Sequence, residues 1–264
     1  MKMFDAFSLI WKYRHILWTT TKSDIKARYA GSTLGLLWAI IYPVLFLGVY
    51  TLVYVAILRI RISSMSTLEY IVLIFCGLLP FLGFSEALGA GVGSVTSNAS
   101  LVKNTLFPIE LVPLKTVLSN TITQLVGTVL LLVVLVFMGK ASVLFVFIPF
   151  IFLVQLMFTA GFIWFVSSLN VFFRDLSHIT SVLIIFFMMV SPIGYTSDMV
   201  PKSLRVLSYI NPLFSIITVY KEVMFYNRVP SFIDLTVFLV ISFVTFGVGF
   251  SVFTKLKQVF ADYV

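Results

Sequence analysis

Trp38, Tyr42, Phe46, Tyr50 and Tyr54 stand four residues apart. On a helix four residues turn slightly past one full turn, so these rings form a slowly winding ladder. Ring platforms of this kind support sugar faces, the three tyrosine hydroxyls add hydrogen bonds, and a polymer can slide along such a path without one deep binding site. The same spacing also suits rings that only pack or face lipid, which is common where 16% of residues are Phe, Trp or Tyr. Glu86 is the one acidic residue deep in an apolar stretch, and buried acids at membrane depth are functional candidates by default. With no basic partner evident at that depth, it reads first as a hydrogen-bonding anchor to a neighbouring helix and second as a proton-coupling group. Arg28, with Lys26 and Arg14, gathers positive charge ahead of the first apolar run. Such charge either anchors a helix at lipid headgroups or neutralises a phosphate.

Enzyme machinery finds little support. The histidines are His15 and His178, there is no HExxH and no GxSxG, and no carboxylates pair at a recognisable spacing. Lys22, Lys115 and Lys202 each precede Ser or Thr but lack the glycine of a phosphate-binding loop, so energy for any pumping is expected from another chain. A single cysteine, Cys76, excludes an intrachain disulfide and a cysteine metal cluster. Arg174 and Asp175, adjacent in a short turn, read as residues that cap and pin helices.

The elements that position these residues follow from composition. Of 264 residues 60% are apolar and 11% charged, with a mean hydropathy of +1.10. A soluble domain has roughly 45–50% and about 25%, so the chain is expected to be an all-α integral membrane protein. The net charge of +8 is read as evidence about orientation and anionic lipid, and no nucleic-acid partner is expected. Residues 1–30 place Asp5, Ser8, Lys12, His15, Thr19 and Lys22 on one face and Phe4, Phe7, Ile10, Trp11, Leu17 and Trp18 on the other. That pattern predicts an amphipathic helix in the headgroup plane, or a soluble helix packed on a partner protein.

Six spans are expected, at 34–58, 68–95, 114–138, 142–169, 179–195 and 232–253. In the second, Gly83, Ala87 and Gly91 recur every four residues, as at a face where another helix backbone approaches closely. The third carries Thr116, Asn120, Gln124 and Thr128 at steps of four, a polar line that needs partners or water. Residues 96–113 form a polar connector. Residues 196–230 divide at Asn211-Pro212, a good helix start, into two short amphipathic stretches that cannot span alone. Eleven of the 18 basic residues fall on the side of the termini, which places both termini in the cytoplasm.

Four segments carry a resemblance: DIKARYAGSTLGLLWAIIYP at 24–43, FPIELVPLKTVLSN at 107–120, NVFFRDLSHI at 170–179 and NPLFSIITVYKEVMF at 211–225. Together they resemble the ABC-2 type permeases that export O-antigen, capsular polysaccharide or teichoic acid. The resemblance implies a permease subunit in the bacterial inner membrane, paired with a second copy of itself and with a separate ATP-binding subunit that uses ATP and Mg, no cofactor being expected in this chain. It implies an undecaprenyl-linked polysaccharide as substrate, with Arg14, Lys26 and Arg28 at the lipid pyrophosphate and Trp38, Tyr42, Phe46, Tyr50 and Tyr54 along the path. By the same resemblance the connector, through Ser97, Asn98, Leu101, Lys103, Asn104 and Phe107, couples to the ATPase, and residues 196–230 form two periplasmic gate helices. Where the family usually has an arginine after the NP pair, this chain has Lys221, which keeps the charge. Two other functions stay open: export of a small amphipathic compound or lipid by the same fold, and a self-powered secondary transporter. The latter would need internal repeats and ion ligands, neither of which is evident.

Overall fold

The computed structural model describes residues 2–60, 65–103, 108–195, 199 and 211–263. Among these every regular element is helical, and five helical stretches are long and apolar enough to cross a membrane: Gly35–Ile57, Thr67–Gly91, Leu111–Phe137, Val143–Asn170 and Phe232–Val259. The N-terminal region is two helices, α1 (Lys2–Lys12) and α2 (Arg14–Tyr29). The helix expected over residues 1–30 is thus interrupted at Tyr13. Ala6 and Leu17 are buried, Trp11 and Trp18 are exposed, and Phe7 packs its ring 5.3 Å from Phe246 of the last span.

The first span comprises α3 (Trp38–Thr51) continued by a π-helical turn, Leu52–Ile57. It is the barest of these five long stretches, 11% buried, whereas α4 (Thr67–Gly91) is 83% buried and forms the centre of the fold. A capping box fixes where α4 begins: Glu69 N–H donates to Ser66 Oγ at 3.3 Å, and Ser66 N–H donates to Glu69 Oε2 at 2.9 Å. The short helices α5 (Ser94–Ser97) and α6 (Ala99–Val102) open the connector.

The third span is two helices, α7 (Leu111–Asn120) and α8 (Ile122–Phe137). The break follows from side chains that turn back on the helix's own carbonyls. Asn120 Nδ2 donates to Thr116 O at 2.7 Å, and the Thr121 hydroxyl to Val117 O at 3.1 Å, a bonding pattern that bends helices. The fourth span is α9 (Ile148–Asn170). The fifth is α10 (Leu176–Val190), which stops five residues short of the expected 195, because Ser191-Pro192 leaves the helix. Then come α11 (Pro212–Met224), α12 (Phe232–Leu256) and the terminal turn α13 (Phe260–Tyr263). The first of the two expected gate stretches lies outside the described residues. The second is α11, capped where predicted: Asn211 Oδ1 accepts Leu213 N–H at 3.0 Å with proline in the first turn.

The closest helix contact is between α9 and α12. A side chain on Gly249 would strike the Gly161 carbonyl, and one on Gly161 would strike the Thr245 and Phe246 backbone. The Trp164 and Phe246 rings pack at a tilt beside this seam with centroids 5.2 Å apart.

Candidate functional site

Several polar junctions stand out against the apolar packing. At the first, the last turn of α2 brings Arg28 Nη2 to Glu86 Oε2 at 2.7 Å, and the Thr123 hydroxyl donates to the same oxygen at 3.2 Å. The Glu86 side chain is 7% exposed and that of Arg28 35%. Glu86 therefore has the basic partner its sequence context did not reveal. Nothing in the spacing shows that an arginine 58 residues earlier returns to this point. Glu86 lies five residues, about 7.5 Å along the axis, before the end of α4 at Gly91. Lys26 is exposed two residues before Arg28. Arg14 is at the opposite end of the same helix, about 21 Å away along its axis, where it donates to Trp11 O at 2.9 Å and lies over the Trp11 ring. Lys26 and Arg28 thus share the last turns of α2 but not one face of it, and Arg14 is far from both.

One turn earlier on α2, Asp24 accepts from Lys115 Nζ at 3.1 Å, and Asn98 Oδ1 of the connector lies 3.5 Å from the same ammonium. Lys115 is buried, so Asp24 supplies a charge-assisted bond that a buried cation requires. Asn98 is held in turn by its Nδ2 donating to Ser94 O at 2.8 Å. Of the other connector residues, Ser97 and Lys103 are exposed and Leu101 is half-buried, while Asn104 and Phe107 fall outside the described residues. Just beyond, buried Glu110 pairs with Lys257 near the C-terminus, and its carbonyl accepts from Trp164 Nε1 at 2.9 Å. A cleft of about 690 Å³ opens nearby, lined by Phe172, Phe173, Arg174, Asp175 and Tyr263 among others.

The aromatic ladder is two pairs more than one stair. Tyr42 and Phe46 have centroids 5.0 Å apart, and Tyr50 and Tyr54 stack in parallel at 5.6 Å. Trp38 is partly exposed and donates from Nε1 to Ser32 Oγ at 3.1 Å. Tyr50 is buried inside the protomer, whereas Tyr54, carried by the π-turn, covers Gly194 so closely that no side chain fits there. Tyr42 stands near enough to Arg28 and Glu86 to feel both charges.

At the opposite end of the bundle, buried Lys221 of α11 donates to the carbonyls of Pro192, Ile193 (2.9 Å) and Tyr195 (3.2 Å), and the Tyr70 hydroxyl donates to Gly194 O at 2.6 Å. One ammonium, with three donors, thus collects the carbonyls freed where α10 ends. Burial pulls its pKa down to about 7.

Gly83, Ala87 and Gly91 are all buried on α4, and the two glycines face neighbouring helices through side chains. Gly83 leaves room for Gln124 and Gly91 for Ile163. Gln124 belongs to a network that the polar line on the third span foreshadows only in part. Its Nε2 donates to Gln155 Oε1 at 2.7 Å and to the Tyr220 hydroxyl at 3.3 Å, and Gln155 Nε2 donates to Pro80 O at 2.9 Å. The backbone seam at Gly161 and Gly249 was not signalled by spacing, because each glycine contributes singly from its own helix.

Comparison with known proteins agrees with this architecture. The sequence profile of the ABC-2 type transporter family matches residues 15–225. The chain is 30% identical over 256 residues, 96% of each protein, to the O-antigen export system permease protein RfbA of Myxococcus xanthus. It is 31% and 32% identical over 249 residues, 94% of each protein, to two proteins of the same name from Klebsiella pneumoniae.

Proposed function

Since this chain belongs to the ABC-2 type transporter family, we propose that it is the membrane subunit of an ABC exporter that moves an undecaprenyl-linked polysaccharide, O-antigen or a similar surface glycan, across the bacterial inner membrane. The observation that carries the proposal is the near full-length similarity to three O-antigen export permeases. The chain is a multi-pass transport subunit. In our reading ATP and Mg are bound by a separate ATPase, two copies of the permease enclose the path, and both termini are cytoplasmic.

In this reading each part has a task. Lys26 and Arg28, on the last turns of α2, offer charge-assisted bonds to the lipid pyrophosphate. From there Tyr42 and Phe46 continue away from the charge junction along the first span, which is largely unburied within one copy. Two copies facing each other through that span would turn its bare side into a shared lining, with Trp38 at its entrance and Tyr54 beside the outer turn. The connector receives the stroke of the ATPase at its exposed Ser97 and Lys103. Asn98, beside Lys115 and Asp24, hands that stroke to α2 and α7.

The test is depletion of the protein in its own bacterium, followed by staining of surface polysaccharide and extraction of membrane lipids. Loss of surface glycan with undecaprenyl-linked polymer held inside the cell is the expected result. Unchanged surface glycan would overturn the proposal in favour of a small amphipathic substrate, and the aromatic pairs would revert to packing.

A further inference from the structure

Asp24 and Arg28 are four residues apart on α2, so they share one face of the helix. Each is fastened to a different part of the core: Asp24 to Lys115 of α7, beside Asn98 of the connector, and Arg28 to Glu86 of α4. The end of the interface helix is therefore clipped down twice. The second clip is incomplete. Arg28 uses one guanidinium nitrogen on one carboxylate oxygen, and Glu86 Oε1 is buried with no hydrogen-bond partner among the described residues. A fork-to-fork pair would have filled both oxygens. About a third of the Arg28 side chain remains exposed, with donors to spare.

We propose that Glu86 is a specificity-determining counter-anion: it holds Arg28 against the core until a stronger, bidentate anion, the diphosphate of a lipid-linked substrate, draws Arg28 away. The inference rests on the reading of Arg28 as the pyrophosphate contact and adds the residue that sets the terms of entry. A neutral isoprenoid or a free sugar has nothing to exchange for the Glu86 carboxylate and leaves the clip shut. A diphosphate carries more charge than a carboxylate and matches the planar guanidinium, so it competes. Release of Arg28 frees the last turn of α2. Because Asp24 lies one turn away and is tied to Lys115 beside the connector, the ATPase senses that a substrate headgroup has arrived.

The experiment uses the assembled complex of permease and ATPase in lipid nanodiscs, with undecaprenyl pyrophosphate and, as the neutral probe, undecaprenol. Wild type is expected to hydrolyse ATP faster with the pyrophosphate and to ignore the alcohol. Glu86→Gln removes the competing charge, so the Kd for undecaprenyl pyrophosphate is expected to tighten about tenfold and ATP hydrolysis without lipid to rise several-fold. Glu86→Asp keeps the charge on a shorter arm, guards against a folding failure of the glutamine variant, and is expected to fall between the two. An unchanged or weaker Kd in both variants, or a lipid-free rate that stays at the wild-type level, overturns the inference and leaves Glu86 as an anchor. Arg28→Gln separates the two layers. If it leaves pyrophosphate binding intact, the reading of Arg28 itself fails, and with it the basis for a counter-anion.

Discussion

Replacing Gly249 by alanine adds a single methyl group at the place where α9 and α12 touch backbone to backbone. The new Cβ would land on the Gly161 carbonyl, and a carbonyl held in a helix cannot rotate aside as a side chain does. Overpacking of a filled interior costs about 1–3 kcal/mol, and a backbone obstacle belongs at the upper end. Alanine returns roughly 1 kcal/mol of helix propensity over glycine, which leaves a net loss of about 1–2 kcal/mol. At about 2–4 °C per kcal/mol for a chain of this size, the apparent Tm falls by about 2–8 °C. Gly247 supplies the control: it is two residues away on the same helix, and a methyl group there meets nothing within 4 Å. Gly247→Ala keeps only the propensity gain and is expected to match or slightly exceed wild type. The assay is a thermal melt of the purified protein in one detergent at a fixed protein-to-detergent ratio. If the two variants melt within about 1 °C of each other, the close seam is not what holds α12 against α9.

Two further outcomes follow from the polar junctions. Lys221 titrates at about 7 in the fold and near 10.5 in an unfolded chain. Between those values the unfolded state binds more protons, so stability rises with pH; wild type should gain Tm from pH 7 to 10 relative to Lys221→Met, and parallel pH profiles would refute this. For Asp24 and Lys115, Asp24→Asn leaves a buried ammonium short of its counter-charge and should destabilise more than the double change Asp24→Leu with Lys115→Met, which removes both charges. A double-mutant cycle on thermal stability should return a coupling of about 0.5–2 kcal/mol, and a coupling indistinguishable from zero would sink the idea.

Spans are legible in this sequence because hydrophobic length is a local property. The expected 34–58, 68–95, 142–169 and 232–253 correspond to Gly35–Ile57, Thr67–Gly91, Val143–Asn170 and Phe232–Val259 within a few residues at most ends. Caps are local as well, and Asn211-Pro212 opened α11 as its chemistry requires. Misjudged were features decided by partners. Glu86 looked solitary because its cation comes from a different helix far upstream. Gly83 and Gly91 do face other helices inside the protein, but the spacing could not show that the Gln124 and Ile163 side chains are what fill the space beside them. The third span, expected at 114–138, is Leu111–Phe137, but hydropathy does not register the back-bonds at Asn120 and Thr121 where its helix is interrupted. Arg14 was grouped with Arg28 by charge, and the straight run of α2 keeps them apart.

The Gln124 network also sets an order of events during synthesis. Gln124 enters the bilayer with α8, but its partners Gln155 and Tyr220 lie 31 and 96 residues further along the chain. At about 5–20 residues per second, the first partner emerges roughly 2–6 s later and the second roughly 5–19 s later. During that interval a polar amide stands in hydrocarbon without its native acceptor. The nascent third helix must therefore linger beside the translocon or borrow a temporary partner until the fourth helix arrives. The tyrosine from α11 is the last donor or acceptor to join, so it closes the bundle only after the chain between α10 and α11 has been made.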